Sequence, residues 1–209
     1  MPQGSNNGNR SEYLPQLVSE ALIAVGSNQS LTQGQPAEVV RSALSCAAEN
    51  GCVIRKTSRI FSTPSFPPGS GPDFANAVFS VDWDGSAPDL LAFLHGIERE
   101  FGRVRQERWA PRTLDLDIIG WGQNILPDRQ TVEKWMGLGL EQQMARAPDT
   151  LILPHPRLQD RAFVLVPLMD VAPDWQHPLT GKTVREMVDA LPKQDIEAIK
   201  PLVNLENGP

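Results

Sequence analysis

Cysteine is scarce in this sequence, with only Cys46 and Cys52. Two thiols exclude a disulfide framework, and without further Cys or His at ligand spacing they do not make a zinc site. A reducing, cytoplasmic setting is the expectation. Long apolar runs are also lacking: no stretch approaches the roughly 20 residues that span a bilayer, and the start has no apolar core for a secretory signal. A membrane partner is therefore not expected. Positive charge is in deficit, with 19 Lys and Arg against 25 Asp and Glu and a formal net charge of -6. That balance gives no broad basic surface, so nucleic acid is not an expected partner.

What remains is 209 residues, 40% hydrophobic and 21% charged, ordinary values for a soluble globular chain. This length suits one core better than two. Residues 1–19 are polar and read as a flexible arm, residues 20–203 as a single domain, and residues 204–209 as a loose tail.

Ala21-Leu22-Ile23-Ala24-Val25 is a short apolar run that stops at Gly26-Ser27-Asn28, the pattern of a buried strand ending in a turn. Val39, Val40, Leu44 and Ala47 then recur at helical spacing up to Asn50-Gly51, which predicts a helix from Pro36 to Glu49. Val53-Ile54 and Ile60-Phe61 suggest a second, interrupted strand region, closed by the Pro/Gly-rich loop from Thr63 to Pro72. Phe79, Val81 and Trp83 alternate with Val78, Ser80 and Asp82, predicting a strand with one face buried more deeply than the other. Ser86 is a good N-cap, and Leu90, Leu94, Ile97 and Phe101 mark one face of a second helix that stops at Gly102. An Arg-rich loop leads to a fourth strand, Thr113 to Ile119. The order strand, helix, strand, strand, helix, strand is ferredoxin-like, an arrangement whose helices cover one face of an antiparallel sheet. The expected fold class is α+β, a ferredoxin-like three-layer α-β-α sandwich around a mainly antiparallel sheet.

The segment from Arg108 to Ile119 carries the strongest chemical signal. Residues two apart on a strand point to the same side, about 6.5 to 7 Å apart, so Asp115 and Asp117 present two carboxylates together. Leu114, Leu116 and Ile118 point the other way, into a core. Close carboxylates repel, and a hard divalent cation between them explains the pairing; magnesium shares its ligands between carboxylates, waters and substrate phosphates. Arg99, Arg103, Arg105, Arg108 and Arg112 lie immediately upstream, and guanidinium groups bind phosphate in bidentate fashion. The alternative is a solvated sheet face for the two aspartates and surface pairing among Glu98, Arg99, Glu100 and Arg103 on the helix. Two weaker signals accompany it. His155 stands between Pro154 and Pro156 in a restricted backbone, followed by Arg157, Arg161 and Phe163. Phe74 and Asn76 follow the Pro/Gly loop, where core and turn roles would serve equally well.

Together these stretches resemble the hydroxymethyldihydropterin pyrophosphokinase family. The resemblance is carried by the pattern Arg-Trp-x-Pro-Arg-Thr-Leu-Asp-Leu-Asp, ending at Asp117. It extends to Ala24-Val25-Gly26-Ser27-Asn28, the block from Ser62-Thr63-Pro64 to Asn76, Ile97-Glu98 with Gly102-Arg103, Leu153-Pro154-His155-Pro156-Arg157, and Arg161-Ala162-Phe163-Val164-Leu165 with Pro167-Leu168. It covers roughly Ala21 to His177. The activity it implies is Mg-dependent transfer of pyrophosphate from ATP to 6-hydroxymethyl-7,8-dihydropterin, giving the pterin diphosphate and AMP in folate biosynthesis. A monomer is expected, with a weak dimer as the alternative, and the length leaves no room for a fused folate-pathway enzyme.

By resemblance, Asp115 and Asp117 bind two magnesium ions together with ATP, and Asp115 also faces the pterin. Arg103 and Arg105 are similar to loop arginines that close on the triphosphate, and both are expected in catalysis. Arg112, His155 and Arg161 are expected at the phosphates. Glu98, His95, Trp109 and Ile118 complete the ATP-binding set, although glutamine is more usual where His95 stands. Phe74 and Phe163 are expected to sandwich the pterin, while Asn76 and the backbone near Thr63, Pro64 and Phe66 read its polar edge. Ala110 departs from the family's usual glycine. The stretch from Asn124 to Thr150 is longer than in compact members and, with Trp135, Met136, Leu138 and Leu140, suggests one or two short helices beside the aspartate strand. After His177, Val184, Met187, Val188 and Leu191 predict a terminal helix docked on the core. Competing readings are a sugar-nucleotide transferase using D-x-D for its metal, which would not need Phe74 and Phe163 as a stacking pair, and a binding protein that has lost catalysis.

Overall fold

The computed structural model describes residues 19–30, 34–65, 71–103, 113–139, 142 and 148–202. Its centre is a six-stranded sheet with strands in the order β5-β1-β4-β3-β6, β2 also pairing with β4. The strands are β1 (Ser19–Ser27), β2 (Val53–Thr57), β3 (Phe61–Thr63), β4 (Phe74–Trp83), β5 (Asp115–Trp121) and β6 (Lys200–Pro201). All paired neighbours are antiparallel. The helices are α1 (Pro36–Glu49), α2 (Ala87–Glu100), α3 (Arg129–Met136), α4 (Ala162–Val171), α5 (Val184–Asp189) and α6 (Lys193–Glu197), with a 3-10 turn at Leu158–Asp160.

Local chemistry sets the helix limits. Pro lies in the first turn of both α1 and α2, where a missing N–H costs nothing. Ser86 accepts from the Asp89 N–H while the Asp89 carboxylate accepts from the Ser86 N–H, a capping box that fixes the start of α2. At its other end Gly102 takes φ 73°, a left-handed conformation that suits glycine. The N–H of Gly102 then reaches Arg99 O and that of Arg103 reaches Glu98 O, both at 3.0 Å. This reversal folds Arg103 back over Glu98.

Helices cover both faces of the sheet, so the sandwich has three layers rather than the one-sided cover that the βαββαβ order alone describes. On one face Ala21, Ile23 and Val25 of β1, Ala77, Phe79 and Val81 of β4, and Leu116 and Ile118 of β5 pack with Val40 and Ala43 of α1 and Leu90, Leu94 and Ile97 of α2. On the other, Leu22, Val78 and Ile119 pack with Val164, Leu165 and Leu168 of α4 and with Val184 and Met187 of α5. The expected contrast between two faces of β4 is therefore absent in its middle: residues 77–81 are buried on both sides. Alternation of apolar and small residues marks a half-buried strand only when one side meets water, and here α4 covers the second side.

Other differences are local. The aspartate strand begins at Asp115 and runs to Trp121, two residues later at each end than Thr113 to Ile119. A register shift between Leu22 and Ile23, opposite Gly120 and Ile118, marks a bulge in it. In the stretch after Asn124 the described residues include α3, with Val132 buried and Trp135 and Met136 half-buried; Leu140 lies outside the described residues. The helix expected after His177 is α5; α6 and the short strand β6, which pairs with β3, follow it, and the sequence reading included neither.

Candidate active site

Every strand residue of the expected site that the structure describes, apart from Ile118, lies on the α4 side of the sheet. Pairing fixes this. Phe61 lies opposite Asn76 and Thr63 opposite Phe74, while Gly26 lies between Asn76 on one neighbour and Asp115 on the other. Cross-strand partners point to the same face. Phe74, Asn76 and Val78 share a face by alternation, as do Asp115 and Asp117, and Val78 is buried among α4 residues. Where α4 ends, that face turns from apolar to polar.

Asp115 and Asp117 are half-buried at the edge of the sheet. Behind them Glu98, only 2% exposed, reaches from α2 and accepts from the outward-pointing N–H of Leu116 at 2.8 Å. It thereby caps a donor that an edge strand would otherwise present unpaired. The Arg103 guanidinium bridges this buried carboxylate and Asp115. Burial works against the Arg103 charge, but Asp115, Glu98 and the nearby Asp117 more than offset it, and the pKa is raised. Arg103, expected among the arginines that close on the triphosphate, is thus held at the carboxylates.

His155 reaches the same site from outside the sheet. Leu126 and Leu153 exchange N–H···O bonds of 2.8 and 2.9 Å, and the His155 N–H continues onto Ile119 O at 3.0 Å, covering the free edge of β5. The Arg157 N–H donates to His155 Nδ1 at 3.1 Å. With Nδ1 an acceptor, the neutral ring carries its proton on Nε2, which lies 3.5 Å from Arg161 Nη1. Two donors converging in this way suit an anionic oxygen between them. Desolvation, then the Arg161 charge, push the imidazole down to about 3, against the opposing pull of Asp115, so the neutral form is the relevant one.

At the other end of the face Asn76 Nδ2 donates to Thr63 Oγ1 at 2.6 Å. Its amide oxygen lies over Gly26 so closely that a Cβ there would meet it at 2.3 Å. Glycine at 26 is a steric requirement of that amide position. The sequence pattern marked Gly26 only as the end of a strand; nothing local shows which side chain it makes room for. Phe163, in the first turn of α4, is half-buried with the Arg161 guanidinium 5.5 Å above its ring. Ser27 Oγ donates to Thr113 O at 2.6 Å, fastening the approach to β5.

The structure therefore brings Glu98, Arg103, Asp115, Asp117, His155 and Arg161 to one end of the sheet, with Thr63, Asn76, Phe74 and Phe163 on the same side. His95 is half-buried one helical turn before Glu98, and Pro64 is exposed beside Thr63. Ile118 departs from expectation: its side chain is 3% exposed and belongs to the core beneath α1 and α2. Only its main chain could meet a nucleotide. Phe66, Arg105, Arg108, Trp109 and Arg112 lie outside the described residues. Among the described residues no three His, Cys, Asp or Glu side chains form a metal cage. Two hard carboxylates without a cage suit magnesium, which fills its remaining positions with water and phosphate oxygens. No described helix is long and apolar enough to cross a membrane.

The fold and site define a ferredoxin-like α+β protein with carboxylate, imidazole and guanidinium groups gathered on one face. The same fold occurs in an HPPK-DHPS structure from Plasmodium falciparum solved with pteroate, at TM-score 0.57 and 13% identity over 82% of this chain. Another HPPK-DHPS, solved in complex with substrates, matches at TM-score 0.58 and 14% identity. The chain spans 44% and 43% of those longer chains, respectively. Sequence narrows the class to a family. Residues 22–173 match the family described as 7,8-dihydro-6-hydroxymethylpterin-pyrophosphokinase, and the chain belongs to it. It is 37% identical to a 2-amino-4-hydroxy-6-hydroxymethyldihydropteridine pyrophosphokinase of Synechocystis sp., over 93% of this chain and 86% of the relative. A Pseudomonas aeruginosa enzyme of the same name is 34% identical, over 88% of this chain and 98% of its own.

Proposed function

We propose that this chain transfers pyrophosphate from ATP to the hydroxymethyl group of 6-hydroxymethyl-7,8-dihydropterin, releasing AMP, and that magnesium is required. The observation that carries the reading is the union, on one sheet face, of two strand carboxylates with the convergent donors of His155 and Arg161. Magnesium, when bound at Asp115 and Asp117 with ATP, would neutralise phosphate charge and orient the attacking hydroxyl.

The protein's own share is positioning and charge. Arg161 and the Nε2–H of His155 bind phosphate oxygens, and preorganised donors of this kind take up charge that develops during transfer. Arg103 supplies a further cation beside the carboxylates. Thr63 and Asn76 read the polar edge of the pterin, and Phe74 and Phe163 lie against its flat faces. The substrate hydroxyl attacks the β-phosphorus, its proton leaving to solvent or a phosphate oxygen, and the α-β bridging bond breaks to release AMP. Such a reaction needs no covalent nucleophile on the protein. Arg105, Arg112 and Trp109 complete the ATP side in this reading.

The test is an end-point assay with ATP and the reduced pterin alcohol, with and without magnesium. AMP and pterin diphosphate should appear in equal amounts and only with the metal. ADP as the nucleotide product, or nucleotide turnover indifferent to the pterin, would refute the reading.

A further inference from the structure

We propose that Arg59 and Asp170 are positioning residues that set the width of the pterin slot by fastening α4 to β3. This inference rests on the proposed pterin site and says how its two walls are held in register.

The β2–β3 connection leaves the sheet at Ser58. Its N–H donates to Val78 O at 2.8 Å, its hydroxyl oxygen accepts from the Val78 N–H at 2.9 Å, and that hydroxyl donates to Arg59 O at 2.7 Å. Ser58 thus satisfies β4 by itself and frees the Arg59 N–H to point elsewhere. It goes to Asp170 Oδ2 at 3.1 Å. The side chain follows: Arg59 Nε reaches Oδ2 and Nη2 reaches Oδ1, both at 2.9 Å. Three donors from one residue on one carboxylate, two of them a guanidinium fork, fix orientation as well as distance. The same guanidinium lies 5.1 Å from the centre of the Phe61 ring.

Phe61 makes the second attachment. It is 2% exposed and packs with Ala162, Phe163 and Val166 in a small cluster that adjoins the α4-side core through Phe163. Asp170 lies eight residues beyond Ala162, about 12 Å along a helix. The segment from Arg59 to Phe61 therefore grips α4 at two points. Thr63, two residues past Phe61 on the same face, holds Asn76. One slot wall thus continues directly from the clamp, and the other, Phe163, lies on the clamped helix.

The helix needs such help. Pro167 lies inside α4, and without an N–H it cannot bond the carbonyl of Phe163, four residues earlier. No side chain caps the start of the helix either. The Phe163 carbonyl therefore lacks the intrahelical partner that any other residue at position 167 would give it. The Arg59–Asp170 pair is substantially exposed, with side-chain exposures of 64% and 24%, and exposed pairs contribute little to global stability. Its effect on the slot is therefore separable from folding.

The experiment compares Arg59→Met, Asp170→Asn, the double variant and Arg59→Lys. It measures 6-hydroxymethylpterin affinity by fluorescence titration, steady-state KM for each substrate, and thermal midpoint. A misplacement of an ångström or less should weaken pterin binding by about tenfold in each single variant. The ATP KM and the thermal midpoint should stay at the parent's values. The double variant should be no worse than either single one, and Arg59→Lys should recover part of the loss. Folded variants with the parent's pterin affinity, losses that add in the double variant, or an ATP KM rising in step with that for pterin would overturn the inference. A parent protein that binds no pterin would instead overturn the proposed function.

Discussion

Along β4, Ala75, Ala77, Phe79 and Val81 look toward α1 and α2 and all are buried, whereas Phe74, Asn76, Val78 and Ser80 look toward α4 and only the last two are covered. The first face is core from end to end. The second is core beneath α4 and cleft beyond it, and the same change occurs on β5, where Ile119 is buried while Asp115 and Asp117 are not. The cleft exists because a helix of ten residues is shorter than the sheet it covers. The proposed chemistry falls on one side of the sheet, and the other side keeps that side flat and in register.

This division can be attacked from either side. The largest effect should come from Asp117→Ala, because charge neutralisation at a transferring phosphoryl group supplies several kcal/mol. Turnover should fall by about 10³-fold or more, with pterin affinity within a few-fold of the parent's, as single-turnover kinetics and pterin titration will show. On the opposite face Leu94→Ala should do the reverse. It empties a fully buried position and should cost about 2–5 kcal/mol in denaturant unfolding, while turnover per folded molecule stays unchanged. A Leu94→Ala protein with intact stability and poor turnover would show that the division is not as drawn.

Gly26→Ala tests the cleft end more finely. The new methyl would force the Asn76 amide away, and pterin affinity should fall by about tenfold, roughly 1.4 kcal/mol, while ATP binding is unaffected. The smallest effect concerns pH. His155 is held near 3 in the folded state against an ordinary value of 6.5, so the unfolded chain binds the proton more readily. Its contribution is complete above about pH 6.5 and is lost as pH falls toward about 3. His177, also buried and lowered in pKa, acts in the same direction. His155→Gln should therefore flatten the fall in denaturant midpoint between about pH 7 and pH 5, by at most about 1.4 kcal/mol per pH unit. An unchanged slope would mean that the folded ring accepts a proton as easily as the unfolded one.

Much of this was legible in the chain because it is written locally. The capping box of Ser86 and Asp89, the stop at Gly102 and the apolar spacing of α1 each lie within one element, and the aspartates alternate with Leu116 over three residues. What escaped the sequence depends on partners far apart. Arg59 and Asp170 are 111 positions apart, and nothing periodic marks them. Glu98 reads as a surface residue next to Arg99 and Glu100, yet the edge of β5 makes it a buried cap. β4 resembles a one-sided strand because Ser80 and Asp82 break its apolar run, although Ser80 is fully buried. The family resemblance supplied a role for Glu98 and none for Arg59, Asp170 or Ser80; the sheet register explains why the residues it did name can meet.

In the proposed reaction the carboxylates of Asp115 and Asp117 are where nucleotide and pterin are joined. Manganese, used as a spectroscopic substitute for magnesium, can be titrated into the protein with a nonhydrolysable ATP analogue and the pterin, and the bound ions counted by electron paramagnetic resonance. Two ions per chain are expected in the parent, and Asp115→Asn with Asp117→Asn should abolish that binding while the fold persists. The same count in parent and double variant would contradict the account.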